Sequence, residues 1–148
     1  MHAKGLEMEW IYEQAAIDWS ALSQLYRIAP LGEKDPAELQ LAFSNSRYKC
    51  FVFEHGQLVG VGRALADGVD CSYICDVAVH PDFQGTGLGK AIITRLRDLS
   101  AGHKKIILYA VPGKEGFYKK LGFKRMSTAM AIFRNQESAL KTGLLNES

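Results

Sequence analysis

The run Gln84-Gly85-Thr86-Gly87-Leu88-Gly89-Lys90 has the residue types and spacing to hold phosphate. Its three glycines strip side chains from a short turn and expose backbone N–H groups. The run follows an apolar stretch, Val77-Ala78-Val79, and a break at His80-Pro81. It opens a segment in which Leu88, Ala91, Ile92, Leu96 and Leu99 return every three or four residues, the spacing of one helix face. A strand, a glycine turn and a helix in that order add the unpaired N–H donors of a first helical turn and the positive end of the helix dipole. A phosphate-bearing ligand is therefore the first expectation.

Two familiar glycine motifs fit poorly. A P-loop, G-x-x-x-x-G-K-[ST], finds Gly89-Lys90 here, but Gln84 stands at its first glycine and Ala91 at its hydroxyl. The dinucleotide fingerprint G-x-G-x-x-G begins at Gly85 and Gly87 and meets Lys90 in its last place, past the middle of the chain.

Q-x-x-G-x-G at Gln84 to Gly89 resembles the pyrophosphate loop of the GNAT superfamily of N-acetyltransferases, which bind acetyl-coenzyme A. Asp76-Val77-Ala78-Val79-His80-Pro81 resembles the family's fourth strand, and Gly116-Phe117-Tyr118-Lys119-Lys120-Leu121-Gly122-Phe123 its F-Y-x-x-L-G-F segment. The likeness runs over roughly residues 50 to 133. It implies transfer of acetyl from a thioester to an amine by direct attack in a ternary complex, with acetyl-CoA as co-substrate and no metal. Backbone amides of Gly85, Thr86, Gly87, Leu88, Gly89 and Lys90 would face the diphosphate. The backbone of Val77, Ala78 and Val79 would pair with the pantetheine arm, and the Val79 amide would be left for the oxyanion. This strand and the one at 105–111 would splay apart.

The resemblance also makes Tyr118 the acid that protonates the leaving sulfur; a phenol of pKa ~10 holds its proton at neutral pH. Many relatives carry an asparagine just before this helix, where Pro112, Gly113 and Lys114 stand here. The base is read from the strand itself. Asp76 is a carboxylate in an apolar run whose face Ile74 and Ala78 would share, a costly placement unless the group is paired or functional. It either accepts a proton, with a pKa raised by burial and through a water chain, or orders the sheet by binding backbone. Tyr73 and Cys75 lie where some relatives place their bases. His80 reads as a strand end and His55 as a turn residue.

The elements that must position these residues follow from period and punctuation. A strand at 8–12 precedes a helix capped by Asp18 and a second helix entered by Asp35-Pro36. Strands at 48–54 and 58–66 flank His55-Gly56, and a strand at 72–79 precedes the helix at 88–100. A strand at 105–111, a helix at 115–121 and strands within 123–134 complete an α+β fold: a mixed, mostly antiparallel sheet of six or seven strands with about four helices. One domain over 1–134 and a polar tail over 135–148 are expected.

With 148 residues, 47% hydrophobic and 23% charged, the chain is long enough for a real core. A net charge of +2 gives no case for nucleic acid, and no run of eighteen apolar residues suggests a membrane span. The basic groups at Lys104-Lys105, Lys114, Lys119-Lys120 and Lys124-Arg125 either face solvent or a nucleotide's phosphates. Cys50, Cys71 and Cys75, odd in number and without paired spacing, point to a reducing cytoplasm. The expected partner is a small-molecule amine, with Arg63 suited to an anionic substituent and Asp67 or Asp70 to an ammonium; a homodimer is compatible. A protein N-terminus or lysine as acceptor, and an acyl-CoA sensor without turnover, are the competing readings.

Overall fold

Side chains at alternate positions of β2 (Tyr48–Glu54) and β3 (Gln57–Ala66) serve two different layers. In the computed structural model, which describes residues 8–147, Phe51 and Val61 join a core with Leu22, Leu25 and Tyr26 of α1 (Trp19–Ile28) and Leu39 and Phe43 of α2 (Pro36–Ser44). Gly60 and Gly62 face the opposite way. A Cβ on Gly62 would lie 2.8 Å from both Ile92 and Leu96, so these glycines let α3 (Leu88–Leu99) settle directly on the sheet. The sheet is thus covered by α1 and α2 on one face and α3 on the other.

The chain falls into two compact units, one ending at Leu108 and one beginning at Tyr109. The first holds a five-stranded sheet in sequence order: β1 (Met8–Ile11), β2, β3, β4 (Cys71–Val79) and β5 (Lys105–Ile107). The first three junctions are antiparallel and β4–β5 is parallel. The caps read from sequence form: the Asp18 carboxylate accepts the Ser20 and Ala21 amides, and Asp35 accepts that of Glu38 ahead of Pro36. The second unit carries α4 (Glu115–Lys120) and α5 (Gln136–Lys141).

Three expectations change. The sheet has five strands among the described residues, because the strand expected over 105–111 keeps a ladder only to Ile107 and 123–134 forms none. There are five α-helices among the described residues, because the supposed tail folds. Asn135 caps α5 by accepting the Ser138 amide, Ala139 is buried, and the Leu144 and Leu145 amides close back on the Ala139 carbonyl. Polar composition hid the single apolar anchor that a two-turn helix needs. Ile74 also does not share a face with Asp76. Between Val61 and Arg63 the register shifts, so that Gly62 stands opposite both Asp76 and Val77, a β-bulge.

Candidate functional site

The glycine loop lies between a 3-10 turn at Pro81–Phe83 and α3. Gly85 and Gly87 take the left-handed backbone, at φ 80° and 90°, and Gly87 enters the helix with no side-chain cap. A Cβ built on either would meet nothing within 4 Å, and on Gly89 only Val79 at 3.7 Å. The first turn of α3 carries no acidic residue, and the first helical bond runs from the Ala91 amide to Gly87. The amides of Leu88, Gly89 and Lys90 therefore have no helical acceptor, the arrangement that can hold an anion at a helix start. Thr86 does not contribute as expected: its amide donates to the Phe83 carbonyl at 3.4 Å and its hydroxyl to the same oxygen. Gln84 acts as a brace, its amide nitrogen donating to the Val79 carbonyl at 3.2 Å and the Ala29 carbonyl at 3.5 Å.

The β4 ladder toward β5 stops well before this loop. β4 pairs with β5 only from Cys71 to Tyr73, against Lys105 to Ile107. From Ile74 to Val79 the side away from β3 has no ladder partner among the described residues, because β5 ends at Ile107. The His80 amide donates to Val59 of β3 at 2.8 Å. Successive residues of a strand point their backbone groups to opposite sides, so the Val79 N–H faces the edge away from β3. Ala78 then faces β3, and its side chain is buried in the core, which takes it out of the set that could meet a pantetheine arm.

Beside this edge, on the α1–α2 face, the bulge aims Asp76 into a polar cluster. Asp76 and His55 are the two non-glycine residues among those described with positive φ, 54° and 49°. The left-handed region is one that Asp tolerates and most residues do not. The fully buried Tyr26 fixes the bulge by donating its hydroxyl to the Asp76 carbonyl at 2.7 Å. Arg63 Nε donates to Asp76 Oδ2 at 2.8 Å, Arg63 Nη1 donates to Ser46 Oγ at 3.2 Å, and the guanidinium lies over the Phe43 ring. Lys34 Nζ stands 3.7 Å from Asp76 Oδ1 and over the Tyr26 ring. Burial pushes the Tyr26 phenol well above its ordinary range and the Cys75 thiol up to about 11, so Cys75 is no base at neutral pH. Of this cluster the sequence pointed to Asp76 and Cys75 as candidate bases and to Arg63 as a partner for an anionic substituent, a role the Asp76 and Ser46 bonds of Arg63 leave no donor nitrogen but Nη2 to fill. The roles of Lys34 and Tyr26 left no linear signal, since they meet Asp76 from 42 and 50 residues away, and Ser46 joins only through Arg63.

The other charges offered for a substrate are taken. Asp67 Oδ1 accepts the Val69, Asp70 and Cys71 amides, which hold its carboxyl below the usual range, and Asp70 pairs with Lys105 at 2.6 Å. In the second unit, Tyr118 sits in α4 with its ring edge-on to Phe117 and Phe123. Burial raises its pKa, and its hydroxyl has no hydrogen-bond partner among the described residues. No helix is long and apolar enough to cross a membrane, and no group of three His, Cys, Asp or Glu is arranged for a metal, among the described residues.

Residues 46–125 match the model of the acetyltransferase (GNAT) domain. The chain is 34% identical over 113 residues to an uncharacterized ycf52-like N-acetyltransferase of Prochlorococcus marinus, covering 72% of this chain and 63% of that one. It is 41% identical over 92 residues to the chloroplastic serotonin N-acetyltransferase 2 of Oryza sativa, covering 59% and 46%. The chain thus spans about half the length of the curated relatives it matches, from 41% to 63% in the first four. A GNAT family acetyltransferase structure from Streptococcus pneumoniae superposes with a TM-score of 0.72 over 86% of this chain and 98% of that one; at 19% identity the likeness is one of fold.

Proposed function

The chain belongs to the GNAT acetyltransferase family, and from that premise and the geometry above we propose that it is an enzyme transferring acetyl from acetyl-CoA to a primary amine of a small molecule. One observation carries this reading: the β4–β5 ladder ends at Tyr73, so that among the described residues Ile74 to Val79 have no ladder partner on that side and lead into a glycine turn with room at Gly85 and Gly87. When bound, acetyl-CoA supplies the acetyl thioester. Leu88, Gly89 and Lys90, with the turn at Gly85 and Gly87, hold its diphosphate through main-chain N–H groups. Val77 and Val79 offer backbone to its arm, and the Val79 N–H donates to a carbonyl oxygen that gains charge. Asp76 takes the amine proton, directly or through water, and Tyr118 returns a proton to sulfur. The Tyr118 role comes from the F-Y-x-x-L-G-F motif; its protonated, unpartnered phenol suits it.

Residues 1–134 form the transferase domain in this reading. Three free cysteines suit a reducing compartment, the cytoplasm first, with a plastid as the alternative that the chloroplastic relatives in rice and Arabidopsis thaliana bring in. The small-amine reading draws support from the serotonin N-acetyltransferase among the relatives.

Release of free thiol from acetyl-CoA, followed across a panel of small amines and peptides, tests the function. Thiol release with small amines alone supports it. Release with peptides alone moves the acceptor to protein, and coenzyme binding without release above hydrolysis leaves a sensor.

A further inference from the structure

We propose that Lys34 receives an acidic group of the acceptor, so that this site selects a small primary amine bearing a carboxylate or phosphate. The proposal rests on the acetyl-transfer reading above. Asp76 is bound unevenly. Its Oδ2 receives the Arg63 Nε–H at 2.8 Å, while Oδ1 receives no hydrogen bond among the described residues and faces Lys34 Nζ at 3.7 Å, an ion-pair distance only. Oδ1 is thus the oxygen left for an arriving ammonium, and Lys34 stands where that ammonium must come.

Arg63 cannot give way. Its Nε and Nη1 are committed to Asp76 and Ser46, its guanidinium rests on Phe43, and its side chain is 16% exposed. Lys34 can. Its backbone is anchored, since the Ser23 hydroxyl donates to the Lys34 carbonyl at 2.6 Å, but its ammonium is held only by the ion pair and the face of Tyr26. A lysine on a fixed base with a flexible four-carbon stem can swing away from Oδ1 and keep its charge nearby. The three charged groups, two cations and one anion, sum formally to +1. A simple alkylammonium would raise that to +2 in a half-buried place, whereas an acceptor with one ammonium and one acidic group leaves it unchanged and offers the displaced Lys34 a partner.

Matched pairs differing only in the acid test this: 2-aminoethyl phosphate against ethanolamine, and β-alanine against propylamine. The full chain is assayed for thiol release and for amine binding by calorimetry. The acidic member of each pair is expected to be favoured at least about tenfold in kcat/KM. Lys34→Met is expected to shrink that ratio by about tenfold, and Lys34→Arg to keep most of it, while both variants hold acetyl-CoA as the parent does. Preference for the neutral members, an unchanged ratio in Lys34→Met, or no binding of either acidic amine overturns the proposal. Lys34-dependent binding of acidic amines without thiol release from any amine sinks the acetyl-transfer reading and leaves the anion site standing. Thiol release with neutral amines alone does the reverse.

Discussion

The glycine loop follows β4 and the Asp76 cluster branches from its bulge, and the two are built from opposite materials. The loop is main chain: Gly85 and Gly87 at positive φ, amides without a helical acceptor at the start of α3, and open space where side chains would be. The cluster is side chain: Arg63, Lys34 and Tyr26 converge on one bulged aspartate, and Ser46 holds Arg63 from behind. In the proposed reading, the backbone cradle recognises the diphosphate common to coenzyme A thioesters, whereas the side-chain cluster carries what is particular to an acceptor. Substitutions should therefore sort by region. In the loop, adding a Cβ should matter and removing a side chain should not. In the cluster the order should reverse.

The largest effect is expected at Asp76. Asp76→Asn keeps the size and the tolerance for left-handed backbone and removes the charge that would take the amine proton. Turnover should fall about 10²- to 10⁴-fold with acetyl-CoA affinity within a few-fold, measured by steady-state rates and by calorimetry with the coenzyme. Turnover within a few-fold of the parent would return Asp76 to an architectural role. Next comes Gly87→Val, which places a β-branched residue at φ 90° and fills the cradle. Acetyl-CoA affinity should weaken about ten- to a hundredfold, from a left-handed backbone penalty of roughly 1–2 kcal/mol and lost diphosphate contact. Lys90→Ala, by contrast, should change affinity by about threefold or less. If Lys90→Ala weakens binding as much as Gly87→Val, the cradle works through side-chain charge and the contrast between the regions fails.

The same division explains what the sequence could tell. The loop was legible because glycine spacing is a direct record of backbone conformation, and Gly85 and Gly87 take the left-handed values that spacing requires. Asp18 and Asp35 were legible as caps for the same local reason. The cluster was not. Arg63 and Asp76 are 13 residues apart on adjacent strands and meet only because Gly62 opposes two residues of β4. A strict period of two puts Asp76 with Ile74, and a one-residue bulge undoes it. The residues after Ile107 misled in another way. Phe123 to Arg134 has the apolar content of a strand, yet its expected pairing depends on long-range partners that no local pattern records.

Tyr118 extends the contrast to the second unit. If it supplies a proton, it belongs with Asp76 and not with the loop, and its loss should appear in turnover. Tyr118→Phe should lower kcat about tenfold at neutral pH and leave acetyl-CoA affinity within about twofold. Because burial raises its pKa, the phenol keeps its proton beyond the ordinary tyrosine value, and the parent's alkaline fall in kcat should begin above about pH 10. A parent whose kcat declines well below that pH, or a Phe variant with unchanged turnover, removes Tyr118 from the chemistry.

The smallest effect distinguishes the regions by titration. The loop's main-chain donors do not ionise in the working range, but the sheet and α1 hold acids whose neutral forms are favoured by burial. Cys75 is pushed from 9.0 to about 11, Cys50 from 9.0 to about 12, and Tyr26 well above 10.0. Groups that bind protons more tightly folded than unfolded contribute stability that is fully present below their unfolded pKa values and is lost as pH rises through the folded ones. Resistance to urea should therefore hold level to about pH 9 and decline between about pH 9 and 12. Cys75→Ala should remove part of that decline, because it deletes one of the shifted acids. Gly87→Val should leave its slope untouched, because no shifted acid lies in the loop. A decline equally steep in Cys75→Ala and the parent would mean that the strand carrying Asp76 is not where alkali first loosens the fold.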